Sequence, residues 1–267
     1  MERHQHGVAM TATEQVGRKA DITTRPVRSD WQARRVAPLT RRYEVVFLSP
    51  DGLIDSFTRV APALPVFEEA FSAFGRGALI ATEFGAIAVE DLQPGIRIET
   101  ATNGLMPLQW VGSMTLYPSS SGDRGSEPAR LIRIATEAFG PDRPLPDLVI
   151  GSPARLLYRN AGCLSALGTA QAFVPADAFV DSLSVIEVTP VAPVRVFHLG
   201  LAGQQIVKAN GLELESFHPG PQFQSRMDRN TLALYLSLFP HTEGPEGFGS
   251  LEVPRLSREE FEALHDG

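Results

Sequence analysis

The chain has 267 residues, 43% hydrophobic and 21% charged, and a net charge of −7; that length can bury a core, and the acidic balance argues against nucleic acid as the main partner. A single cysteine, Cys163, excludes an intramolecular disulfide and any cysteine zinc site. No run approaches roughly 18 apolar residues and no apolar stretch precedes Arg18-Lys19, so neither a transmembrane segment nor a secretory signal is expected. A cytoplasmic location follows as an expectation, with non-classical export left open.

Residues 1–42 carry nine of the 24 Lys and Arg against four acids, which leaves the remainder near −12. This basic stretch reads as a disordered arm, either a solvated lead-in or a tether to nucleic acid or a membrane. Residues 42–48 predict a strand, Ser49-Pro50-Asp51-Gly52 a turn, and 53–60 the returning strand of a hairpin. One helical turn is expected at 67–71. Leu79-Ile80-Ala81-Thr82 and Ile87-Ala88-Val89 predict short strands about Phe84-Gly85; Pro94-Gly95 then turns the chain into the alternating run 96–100. Residues 108–116 predict a strand with a bulge at Gly112, followed by a polar loop at 119–128. Further strands are expected at 131–134, 147–150, 156–158, 172–176, 185–188 and 194–199, with an irregular stretch at 140–146 and a helical turn at 177–180. Cys163 is placed in a loop, as a packed side chain. Asn210-Gly211 predicts a type I′ turn between 205–209 and 212–215. A helix is expected over 228–239, stopped by Pro240, and another over 257–265 with Ser257-Arg258-Glu259-Glu260 as a capping box.

Many short strands with turn signals between them give an all-β class. The domain division expected is a basic arm (1–42), a β domain (43–220) and a helical, acidic C-terminal tail (221–267). Leu79, Ile80, Val89, Ile98, Trp110, Val149, Ile150, Val207 and Leu214 are the expected core.

The stretch 77–95 follows the pattern G-x-L-I-x-T-x-x-G-x-x-x-V-E-D-L-x-P-G. With Trp110-Val111-Gly112 and Glu215-Ser216-Phe217 it resembles a hedgehog/intein (Hint) domain of the stand-alone bacterial kind, the signature region running over 73–216. The resemblance implies a compact all-β fold with two halves related by an approximate two-fold. It also implies self-cleavage through a thioester, which needs a nucleophile, a Thr and His to polarise and protonate the scissile amide, and a resolving group. The nucleophile would stand at Ala73, the Thr/His pair at Gly151 and Ala154, and a later histidine near Gln204 or Gln205. All three principal side chains are replaced, so the resemblance implies a fold without its chemistry.

Ser72 is the one neighbouring hydroxyl that could act as nucleophile, but in an extended segment it faces opposite to position 73; Ser152 is offset in the same way. His198 reads either as a core histidine or as part of a cleft. His4 and His6 offer at most weak metal binding. Asn210 lacks the neighbours that asparagine cyclisation requires. Nucleotide, hydrolase and metalloprotease motifs are absent, so no cofactor and no metal are expected. The favoured function is a binding or scaffolding module for a protein partner, inactive in autoprocessing. Two alternatives stand beside it: a self-processing enzyme using Ser72, and an assembly component of an exported complex.

Overall fold

The computed structural model describes residues 39–118 and 129–265; residues 1–38 of the expected basic arm, with His4 and His6, and the polar loop at 119–128 lie outside them. Thr40, Arg41 and Arg42, expected in that arm, belong to the first strand because they pair with Pro62, Ala61 and Val60. Strands β1 (Thr40–Leu48) and β2 (Ile54–Pro62) form the expected hairpin, closed by Gly52 at φ 81°. In β1, Tyr43, Val45 and Phe47 alternate inward, as a period of two requires. Helix α1 (Pro65–Glu69) starts on Pro65, whose fixed φ suits a first turn, and buries Phe67. The chain then stays buried through residues 70–73 into β3 (Phe74–Gly75).

The signature folds as β4 (Leu79–Thr82) and β5 (Gly85–Ala88), a 3-10 turn (Val89–Asp91) and β6 (Arg97–Thr100). Thr82 holds the tight turn: its Oγ1 donates to the Gly85 carbonyl at 2.7 Å and accepts from the Phe84 N–H at 3.1 Å. Strand β7 (Gly104–Pro107) was not expected and precedes β8 (Trp110–Leu116). No bulge forms at Gly112, because the register runs through it unbroken to Val45 on one side and His198 on the other. The glycine serves packing: a Cβ there would lie 2.1 Å from the Trp110 ring.

There follow β9 (Leu131–Ile134), β10 (Leu148–Gly151), β11 (Arg155–Arg159), α2 (Ala161–Leu167), β12 (Gln171–Pro175), β13 (Val185–Val188) and β14 (Val194–Gly200). Cys163 sits in helix α2, not in a loop; Asn160 caps that helix by accepting from the Gly162 N–H, and the thiol side chain is fully buried. Strands β15 (Ile206–Ala209) and β16 (Leu212–Glu215) meet at Asn210-Gly211, both at positive φ as a type I′ turn demands. The Asn210 side chain accepts from Leu79 N–H at 2.7 Å and donates to Pro146 O at 3.0 Å, which makes it a structural tie. Helices α3 (Arg229–Leu236) and α4 (Arg258–His265) close the chain. The capping box forms as expected, with reciprocal bonds of 2.7 and 3.2 Å between Ser257 and Glu260.

The strands make two antiparallel sheets, ordered β13-β9-β10-β3-β14-β8-β1-β2 and β12-β11-β16-β15-β4-β6-β7, with β5 on β4. The fold is all-β, as expected. One core gathers Ile80, Ile98, Ile150, Val207 and Leu214. A second, aromatic core centres on Trp110, whose Nε1 donates to Leu238 O at 2.9 Å. Tyr235, Phe239 and Phe248, from the segment after residue 220, pack into this second core.

Seven of the nine expected core residues are buried, but Leu79 and Val149 are only half-buried. Their neighbours Ile80 and Ile150 point into the first core, so alternation turns Leu79 away from it and sets Val149 against the edge of the second. Ile80→Ala should therefore cost about 2–4 kcal/mol and Leu79→Ala only about 1. Equal losses in urea denaturation would show that the faces are misassigned.

Candidate functional site

Residue 73 and the turn 151–154, far apart in sequence, meet at one point between the strands. The Ala73 N–H donates to Phe197 O at 2.9 Å, and its carbonyl accepts from the Gly151 N–H at 3.0 Å. The chain then turns tightly, the Ala154 N–H returning to Gly151 O at 3.0 Å. Ala73 and Ala154 are 1% and 3% exposed, so both methyl groups are buried in the core. At Gly151 there is no space at all: a Cβ would lie 2.1 Å from the Ser72 carbonyl oxygen and 2.4 Å from its Oγ.

Ser72 is buried and lines a cavity of about 470 Å³ with Arg41, Glu68, Glu69, Ser152 and Arg155. His198 lines an adjoining cavity of about 320 Å³, with Glu69, Arg155, Glu215, His218 and Arg255. Glu69, Pro153, Arg155 and Pro175 belong to both, so the two form one cleft. Among the described residues no hydrogen bond joins Ser72 to His198. The imidazole is 9% exposed, and its Nδ1 accepts from the Leu199 N–H at 3.1 Å. Burial, reinforced by the Arg155 and Arg255 guanidinium groups, holds its pKa down to about 3. It is therefore neutral at pH 7, and its ring meets Phe74 and Phe217 edge-on.

The polar centre of the cleft is Glu215, which sequence reasoning treated as the end of a motif. Its carboxylate is 4% exposed and accepts from Arg255 Nε at 2.9 and 3.0 Å, from Gln204, and faces Arg155 at 3.9 Å. Gln204 in turn donates to Val253 O at 3.1 Å and accepts from the Glu252 and Val253 N–H groups. Gln205 donates to Ala202 O and accepts from Asn103 at 2.8 Å each. The two glutamines near the expected later histidine are thus saturated by structural bonds. Arg255 also donates to His218 O at 2.7 Å. This Glu215–Arg255 pair ties the C-terminal stretch to the cleft wall, and only a contact across 40 residues reveals it.

Among the described residues no group of three His, Cys, Asp or Glu side chains is placed to hold a metal ion. No helix there is long and apolar enough to cross a membrane. The cleft presents guanidinium and carboxylate groups together with a neutral imidazole.

A family model described as Hint domain matches residues 72–221. The solution structure of a bacterial intein-like domain from Clostridium thermocellum is similar over 55% of this chain and 99% of that one, at 13% identity and a TM-score of 0.37. No curated protein matches the sequence.

Proposed function

We propose, from the premise that this chain belongs to the Hint domain family, that it is a Hint fold without self-cleavage whose cleft binds a segment of a protein partner. One observation carries the reading. The positions at which the resemblance places the family's chemistry hold Ala73, Gly151 and Ala154; the two alanines are buried in the core, and at Gly151 a Cβ would strike the Ser72 carbonyl oxygen. Alanine has no group that can form an ester or thioester. Loss of one member of such a unit costs a factor of roughly 10²–10⁴, and the members act together.

The upstream chain favours the same reading. Residues 65–72 are built into the fold: Phe67 and Phe71 are fully buried, and β1 is paired along its length with β2 and from Tyr43 to Phe47 with β8. Scission before Ala73 would leave a fragment still hydrogen-bonded into the sheet, so cleavage would not release it readily. The retained cleft, with Arg155 and Glu69 shared by both of its lobes, suits a short polar peptide.

The test is intact mass after long incubation, with and without thiol or hydroxylamine. The expected result is the full-length mass throughout. Fragments meeting at Ser72, formed faster with hydroxylamine, would replace this reading with serine-based autoprocessing.

A further inference from the structure

Strand β2 closes one edge of the eight-stranded sheet. The ladder parity is visible in its flanking bonds: Ser49 N–H to Leu53 O at 2.9 Å, Ala63 N–H to Leu39 O at 2.8 Å, and on the other side of β1, Leu48 N–H to Gln109 O at 2.8 Å. Odd-numbered residues of β2 therefore bond to β1, while the backbone groups of Ile54, Ser56, Thr58 and Val60 point away from the sheet. Among the described residues the only partner of these groups is local, the Ser56 N–H donating to Asp55 Oδ1 at 2.7 Å. Ile54 and Val60 are 50% and 60% exposed. Such an edge is a template for another strand unless its side chains forbid it.

The side chains here select rather than forbid. The sequence Ile54-Asp55-Ser56-Phe57-Thr58-Arg59-Val60 is chemically self-complementary when read against its own reverse. We infer that two copies of this chain pair through β2, antiparallel about a two-fold axis at Phe57, joining their eight-stranded sheets edge to edge. In that register Ile54 faces Val60, Asp55 faces Arg59, Ser56 faces Thr58, and Phe57 meets its symmetry mate. The backbone parity agrees: 54 with 60 and 56 with 58 become the hydrogen-bonded pairs, using the groups that point outward. Asp55–Arg59 and Phe57–Phe57 fall at non-hydrogen-bonded positions, where side chains approach more closely.

Neighbouring registers lose this match. A shift of two residues one way sets Arg59 against Leu53, and the other way sets it against Phe57. A shift of one residue opposes the free backbone groups of one strand to the already bonded groups of the other. Asp55 and Arg59 have no oppositely charged partner among the described residues; Arg59 donates to Ser237 Oγ and lies 5.4 Å from the Phe57 ring centre. The charge pair is thus available to the second copy. One strand pair is a small interface, so association should be concentration-dependent, in the micromolar range.

The experiment is sedimentation equilibrium of the full chain over that range. Wild type is expected to dimerise. Asp55→Arg and Arg59→Asp should each weaken the dimer by roughly tenfold or more, two like-charge pairs replacing two attractive ones. The double variant Asp55→Arg/Arg59→Asp should restore it. Thr58→Pro removes an outward N–H while sparing the β1 ladder and should give a monomer with unchanged circular dichroism; if it misfolds, the charge set decides alone. A monomeric wild type, a dimer that survives Thr58→Pro, or a double variant no better than the singles would each overturn the inference.

Discussion

Gly151→Ser is expected to destabilise the fold by more than about 4 kcal/mol, at the far end of the range for single substitutions. The atom struck first is a backbone oxygen, Ser72 O at 2.1 Å from the new Cβ, and a backbone atom cannot step aside by changing rotamer. The same peptide group is bonded in place, since Ala73 is held to Phe197 on one side and to Gly151 on the other. Relief therefore requires β10 to separate from the segment leading into β3. A hydroxyl-bearing side chain therefore cannot be placed at this position without opening the sheet. Thermal and urea denaturation measure it. A Gly151→Ser variant within about 1 kcal/mol of wild type would mean that the two strands are not in close contact.

The second large effect is loss of stability on acidification. His198 is held neutral in the fold, with its pKa down to about 3, and His241 is held down to about 4 by burial. Between pH 6.5 and those values the unfolded chain binds protons that the folded chain does not, so stability falls as pH falls. Near pH 4.5 the loss from His198 alone is about 2–3 kcal/mol. His241, less enclosed, and His218, also shifted downward chiefly by burial, act in the same direction. Asp147 and Asp181, whose pKa values are depressed by hydrogen bonds from Thr136 and Ser184 first, extend the same trend below the usual carboxylate range. Denaturation midpoints between pH 4 and 7 should slope upward, and His198→Gln should flatten that slope by about 1.4 kcal/mol per pH unit. An unchanged slope in the variant would mean that His198 is protonated within the fold.

How legible the protein was depends on the span of the interaction involved. The β1–β2 hairpin, the Asn210-Gly211 turn and the Ser257–Glu260 capping box each rest on a few consecutive residues. Their backbone preferences act before any tertiary contact forms, and each appears where the sequence places it. The resemblance carried further still, because the family model matches residues 72–221, which contain the 77–95 pattern. Strand β7 was missed because Gly104 and Pro107 bound a run too short for alternation to show. Cys163 was misplaced because helix α2 is seven residues long and carries no apolar period of its own.

The amino-acid sequence by itself determined the all-β class, most of the turns, and the absence of a side-chain nucleophile at Ala73, since these follow from residue identity and local backbone preference. Only the tertiary structure decided which face of β4 and β10 is buried, leaving Leu79 and Val149 half-exposed. It also decided why Gly112 and Gly151 must be glycines, through Trp110 in one case and Ser72 in the other, and it made Glu215 the buried centre of the cleft by bringing Arg255 to it. Those features depend on atoms from distant strands meeting within a few ångströms, and steric exclusion and ion pairing at that range exist only once the two sheets have closed on each other.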